Sequence, residues 1–138
     1  MTRVRLHGSV AVALPPDQAL ALFTPRGETA WVPGWEPRFP AGDGLATGTT
    51  FLTHEQTIWV IAARSPSSIR YARVTPNVHA GTVEVRCKRV AGATRAHVTY
   101  DLTALGDPDT LDRFAGDFDA MLAEWERLIA ASLEACAA

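Results

Sequence analysis

Few side chains in this 138-residue sequence stand where acid–base chemistry could use them. The candidates are Glu28, Glu36, Asp43, His54, Glu55 and Arg73. Carboxylates and histidines exchange protons, and an arginine answers negative charge. Glu28 stands near a helix start, where it is expected to cap or to face water. Glu36 follows Trp35 and could reach the mouth of a cavity, although an exposed loop carboxylate is the plainer expectation. Arg73 shares alternation parity with Ile69 and Tyr71, which puts a cation on the nominally dry face of a strand. A buried arginine must find a partner. Exposure at the strand's end is the simpler expectation; otherwise Arg73 with Glu55 or Glu36 makes the best site for an ion pair or a ligand carboxylate.

The histidines His7, His54, His79 and His97 never pair at the spacings that mark zinc sites, so no metal is expected. Alternation places His7 and His97 on a wet sheet face; His54 and His79 sit at strand ends. There is no Gly-x-Ser-x-Gly, no glycine loop shaped for phosphate and no Cys/His pair. No cofactor is expected, no catalytic residue is assigned, and whether there is catalysis stays open.

Aromatic residues are the stronger signal. Trp31, Trp35, Phe51, Trp59, Tyr71, Tyr100 and Trp125 are many large rings for one small core. All seven are candidates to line a ligand cavity, with ordinary core packing the plainer reading of Tyr100 and Trp125 by their periodicity. Trp31 and Trp35 lie instead in a proline- and glycine-rich stretch and are expected to line or cover a pocket. Trp35 is expected to serve a ligand with little effect on stability. Indole N–H and phenol O–H groups could orient a ligand's polar end, which favours an amphipathic molecule.

The elements that must hold these residues follow from patterning. Val4, Leu6, Val10 and Val12 alternate with Arg3, Arg5, His7 and Ser9, as in a half-buried strand. Pro15-Pro16-Asp17 ends it and opens a short helix through Phe23, and a second helical turn covers Gly27 to Trp31. Residues 32–48 hold three prolines and four glycines and read as a long loop. Five strands follow: Thr49–Thr53, Thr57–Ala63, Ile69–Thr75, His79–Val90 and Thr94–Ala104. The last two each show one dry and one wet face, as an antiparallel meander requires.

Asp107-Pro108-Asp109-Thr110 then supplies an N-cap, a first-turn proline and an acid for a long helix. Leu111, Phe114, Phe118, Met121, Leu122, Trp125, Leu128, Ile129 and Leu133 form its apolar stripe. A helix of some 25 residues spans roughly 38 Å, and only the dry face of the sheet can cover so long a stripe. A strongly curved antiparallel sheet of about six strands wrapped around that helix meets the demand. The space held open between them is a cavity. Phe118, Met121 and Leu122, at mid-helix, are candidates for its floor.

Size and composition agree with one domain over residues 1–138. A chain this long buries roughly 68–70% of its unfolded surface and needs no disulfide staple. Cys87 and Cys136 are expected to be unpaired thiols, which fits a reducing cytosol. The formal net charge of −2 without a run of Lys or Arg argues against nucleic acid. The N-terminus lacks the apolar stretch of a secretion signal, and no segment approaches the ~18–20 apolar residues of a membrane span. A cytoplasmic protein without membrane insertion is expected.

The element order, the stretch from Phe23 to Pro37 with its Trp31-Val-Pro-Gly-Trp35, the later Thr57-Ile-Trp59-Val and the Val98-to-Leu105 segment resemble bacterial SRPBCC proteins. These belong to the START/polyketide-cyclase-like superfamily, which includes the birch pollen allergen fold. The resemblance covers nearly the whole chain and implies a helix-grip α+β fold. It implies function only broadly, since lipid carriers, hormone receptors, cyclases and chaperone co-activators share that fold.

Three functions follow as expectations. The first is binding of a small apolar or amphipathic molecule between sheet and helix. The second is a cyclase- or aromatase-like enzyme that works largely by holding a flexible chain in a folded pose. The third is a partner-binding module in which exposed Trp31 and Trp35 meet another protein. A carrier needs a mainly apolar cavity, an enzyme a polar cavity residue with a shifted pKa, and a module an exposed apolar patch. The sheet's edge strand and the mostly small residues from Ala130 to Ala138 could also support a homodimer.

Overall fold

A computed structural model describes residues 2–54 and 56–137. Strand β1 (Arg3–Val12) buries Val10 and Val12 and exposes Arg3, Arg5 and His7, as its alternation predicts. Helix α1 (Pro16–Ala21) carries its proline at the first helical position, where no N–H is needed. Thr24 closes it: the hydroxyl donates to the Ala21 carbonyl at 2.7 Å and accepts the Gly27 N–H at 3.0 Å. That leads into a 3₁₀ turn, Gly27–Ala30. A Cβ on Gly27 would lie 1.8 Å from the Ala21 carbonyl oxygen, so only glycine lets the turn fold back on α1.

The remaining strands are β2 (Arg38–Ala41), β3 (Thr50–Thr53), β4 (Thr57–Ser65), β5 (Ser68–Thr75), β6 (His79–Val90) and β7 (Ala93–Ala104). They form one antiparallel sheet in the order β1-β7-β6-β5-β4-β3-β2. The sheet therefore has seven strands where the sequence predicts about six. The addition is β2, inside the stretch read as loop. It pairs with β3 only at Arg38↔Leu52 and Ala41↔Thr50, with a register shift between. It contains Pro40, and an edge strand tolerates the lost donor. Its brevity and its proline hid it from periodicity.

Helix α2 (Pro108–Ala137) is longer than expected, 30 residues or about 45 Å at 1.5 Å each. Asp107 caps it by accepting the Asp109 N–H at 2.9 Å. At the other end the alanine-rich tail simply continues the helix, alanine being its best former. Leu111, Phe118, Leu122 and Ile129 are buried along the predicted stripe. A Cβ on Gly8 would fall 2.4 Å from Leu122 Cδ1 and 3.5 Å from Phe118 Cε2, so helix and β1 meet tightly there. Space between helix and sheet opens elsewhere.

Candidate functional site

That space is a cavity of about 170 Å³. Its floor is helical: Phe114, Met121 and Trp125, at i, i+7 and i+11 on α2. Its roof is Glu28 of the 3₁₀ turn with Trp31, Val32 and Trp35 behind it. The hairpin of β3 and β4 contributes Thr53, His54, Thr57 and Trp59, β5 gives Arg73 and β7 gives Tyr100. Trp35, Thr53 and His54 also edge a wider polar recess of about 640 Å³, lined by Glu36 and Arg38, and so form the mouth.

Eight of the predicted site residues meet at this cavity: Trp31, Trp35, His54, Trp59, Arg73, Tyr100, Met121 and Trp125. Four predicted ligand contacts do not. Phe51 lies behind Trp59, stacked on it at 5.7 Å and 4°. Tyr71 is turned into the core, where its hydroxyl donates to the Phe23 carbonyl at 2.6 Å. Phe118 and Leu122 are spent on the tight contact under Gly8. Glu36 lines only the outer recess.

Most of the polar edges on these rings are already committed. Trp31 Nε1–H donates to Leu22 O at 2.7 Å, Trp35 Nε1–H to Pro25 O at 2.6 Å and Trp59 Nε1–H to Thr53 Oγ1 at 2.9 Å. Trp35 also packs edge-on against Phe51 at 6.3 Å. It belongs to the core as well as to the pocket, against the expectation that it serves a ligand alone. Trp125 is the one cavity indole without such a tether among the described residues, and it meets Trp31 edge-on at 5.7 Å.

Arg73 corrects the expectation of strand-end exposure. Its guanidinium carbon lies 4.9 Å from the Trp59 ring centroid and 5.8 Å from those of Tyr100 and Phe114. Aromatic faces offer a cation partial compensation for lost water. Its Nε is nonetheless buried with no hydrogen-bond partner. Among the described residues no carboxylate is within ion-pair distance, so the pairing with Glu36 is not formed. The alternative partner, Glu55, lies outside the described residues. Burial lowers Arg73 from the ordinary arginine value, and it remains a cation at neutral pH.

Glu28, an acid–base candidate expected to cap or to face water, lines the cavity instead. It makes no helix cap; it is half-buried at the cavity's roof, and burial holds its carboxyl well above the ordinary range near 4.5. Only the fold-back at Gly27 turns it inward, and no local motif announces that. Tyr100 lies within electrostatic reach of both charges. Burial pushes its hydroxyl up to about 12, with Arg73 pulling down and Glu28 pushing up. Phe114 was visible as a stripe residue, without a sign that it faced the cavity. His79 is buried against Phe114, 6.2 Å between rings; burial and then Arg73 keep it toward the neutral form. Among the described residues no cluster of three or more His, Cys, Asp or Glu could hold a metal ion.

A curved seven-stranded antiparallel sheet gripping a long C-terminal helix, with a cavity between, is a helix-grip fold. Solved structures share it at low identity. A protein of Nitrosospira multiformis aligns with TM-score 0.70 at 13% identity, over 90% of this chain and 94% of that one. Ara h 8.0201 aligns with TM-score 0.68 at 11% identity, over 94% and 99%. CalU16 from Micromonospora echinospora aligns with TM-score 0.64 at 15% identity, over 96% and 82%. No family model and no curated protein matches the sequence. Among the described residues no helix is long and apolar enough to cross a membrane.

Proposed function

We propose that the protein binds one small amphipathic molecule in the cavity between sheet and helix. The observation that carries this is a chamber of about 170 Å³ walled by Trp31, Trp59, Tyr100, Phe114 and Trp125, with a mouth at Trp35 and His54. A cavity of about 150 Å³ lined by apolar side chains admits benzene, which sets the scale at one ring. Four tryptophans line the chamber, so their fluorescence reports its occupancy directly. Native mass spectrometry of the purified chain, followed by titration with benzyl alcohol, tests the reading. A co-purifying small molecule, or a saturable change in tryptophan emission, supports it. An empty protein whose emission benzyl alcohol leaves unchanged overturns it.

An enzymatic reading has one specific support. Glu28 is a carboxyl held toward its neutral form, as a general acid requires, in the same cavity as a cation. A cyclase-like reaction would use Glu28 to deliver a proton and Arg73 to hold negative charge. Turnover lost in Glu28→Gln while binding persists distinguishes the enzyme from a carrier. The partner-module reading has less support, because Trp31 is only 5% exposed and Trp35 is tethered inward.

A further inference from the structure

Three polar groups converge on the cavity. Arg73 Nε is buried and unpartnered. Tyr100 and Glu28 line the same space as that guanidinium. A buried polar group left unmade costs more than a made bond contributes, so such groups in a folded protein call for an explanation. A hydrocarbon would leave the guanidinium unanswered.

We infer that the ligand of this cavity is a single-ring carboxylic acid bound as its anion, its carboxylate on Arg73 and the Tyr100 hydroxyl and its ring against Trp31 and Trp125. This rests on the binding reading above and narrows it to a chemical class. The charge follows from what surrounds the guanidinium. Its neighbours are three aromatic faces, which stabilise a cation without neutralising it. Glu28, biased toward its neutral form, supplies little counter-charge, and His79 supplies none. A buried cation needs an anion or a set of acceptors. The planar guanidinium fork fits a carboxylate with two parallel hydrogen bonds. The size follows from the volume, and the aromatic walls select a flat apolar body over an inorganic anion. Glu28, at the roof, remains free to donate to an acceptor on the ring.

Benzoate and benzyl alcohol, equal in ring and unequal in charge, separate the two levels of the argument. Calorimetry and tryptophan fluorescence on the full chain should give benzoate at least about tenfold tighter binding, the scale of one charge-assisted hydrogen bond. Arg73→Met should abolish that preference while leaving benzyl alcohol binding within about twofold, and Arg73→Lys should keep part of it. Equal affinity of the wild-type chain for both probes overturns the anion inference and leaves the cavity reading standing. An unchanged preference in Arg73→Met overturns it likewise. Failure of both probes to bind the wild-type chain overturns both. Should Arg73→Met not fold, the wild-type preference and its partial reduction in Arg73→Lys carry the decision, and a preference unchanged in Arg73→Lys counts against the inference.

Discussion

Arg73 and Trp59 are cross-strand partners on β5 and β4, and the guanidinium carbon of one sits 4.9 Å from the ring centroid of the other. The pair is made by register: both side chains emerge on the inner face at directly opposed positions. Trp59 is in turn held by its hydrogen bond to Thr53 and by Phe51 stacked behind it. A desolvated cation–π contact of this kind contributes on the order of 1–2 kcal/mol. The double-mutant cycle Trp59→Leu with Arg73→Met, read by urea unfolding, should return a coupling of about that size. A coupling near zero would mean that the ring merely fills space.

Glu28 should make stability depend on pH in the direction opposite to a surface carboxylate. Its folded-state pKa is raised, so its contribution is fully present below the unfolded value near 4.5 and is lost as pH rises through the folded value. Glu28→Gln removes that dependence. Urea unfolding at pH 5 and at pH 8 should show the variant gaining on the wild-type chain at the higher pH. A constant difference between the two would show that the carboxyl is solvated.

Truncating the two half-buried tryptophans tests how far each belongs to the core. Trp125→Ala removes edge contact with Trp31 and is expected to destabilise by about 2–3 kcal/mol, below the ~3–5 of a fully buried aromatic. Trp35→Ala should cost about 2 kcal/mol, since it strands the Pro25 carbonyl and exposes Phe51. An unaltered melting temperature for Trp35→Ala would restore a role confined to the ligand.

The two thiols should differ sharply in reactivity. Both are free; Cys87 is buried on β6 and its thiol is pushed up to about 11 by burial, whereas Cys136 is exposed near the end of α2. Ellman titration of the native protein at pH 8 should modify one thiol promptly and the second only on unfolding. Two fast equivalents would mean that β6 opens readily.

Much of the frame was legible because it rests on long periodic signals. The alternation in β1, β6 and β7 and the stripe from Leu111 to Leu133 dictate a sheet, a helix and the face each must bury. The Asp107 cap was legible for the same reason, as a local arrangement with a local cause. β2 was not: four residues with a proline carry no period, and tertiary pairing with β3 alone makes them a strand. The site was legible in part. Cavity residues on regular elements, such as Trp59, Tyr100 and Trp125, could be found by parity. Glu28 could not, because its direction depends on a backbone contact between Gly27 and Ala21. The misassigned Phe118 and Leu122 share the stripe with Met121 and differ only in lying under Gly8, a distance no single-chain pattern encodes. Arg73 was placed on the correct face and then discounted, since an unpaired cation in an aromatic box departs from the usual rule.

The indole tethers at Trp31 and Trp35 bear on how the chamber would admit a guest. Each ties the tryptophan stretch to a backbone carbonyl at the end of α1, Leu22 in one case and Pro25 in the other. Swinging that stretch aside would break two hydrogen bonds at once. Across the mouth stand Thr53 and His54, the latter holding a left-handed backbone with φ of 50°. A vessel with one jaw tied so firmly would behave as a mould. It would reject a guest a few atoms too large where a softer sac would stretch to hold it.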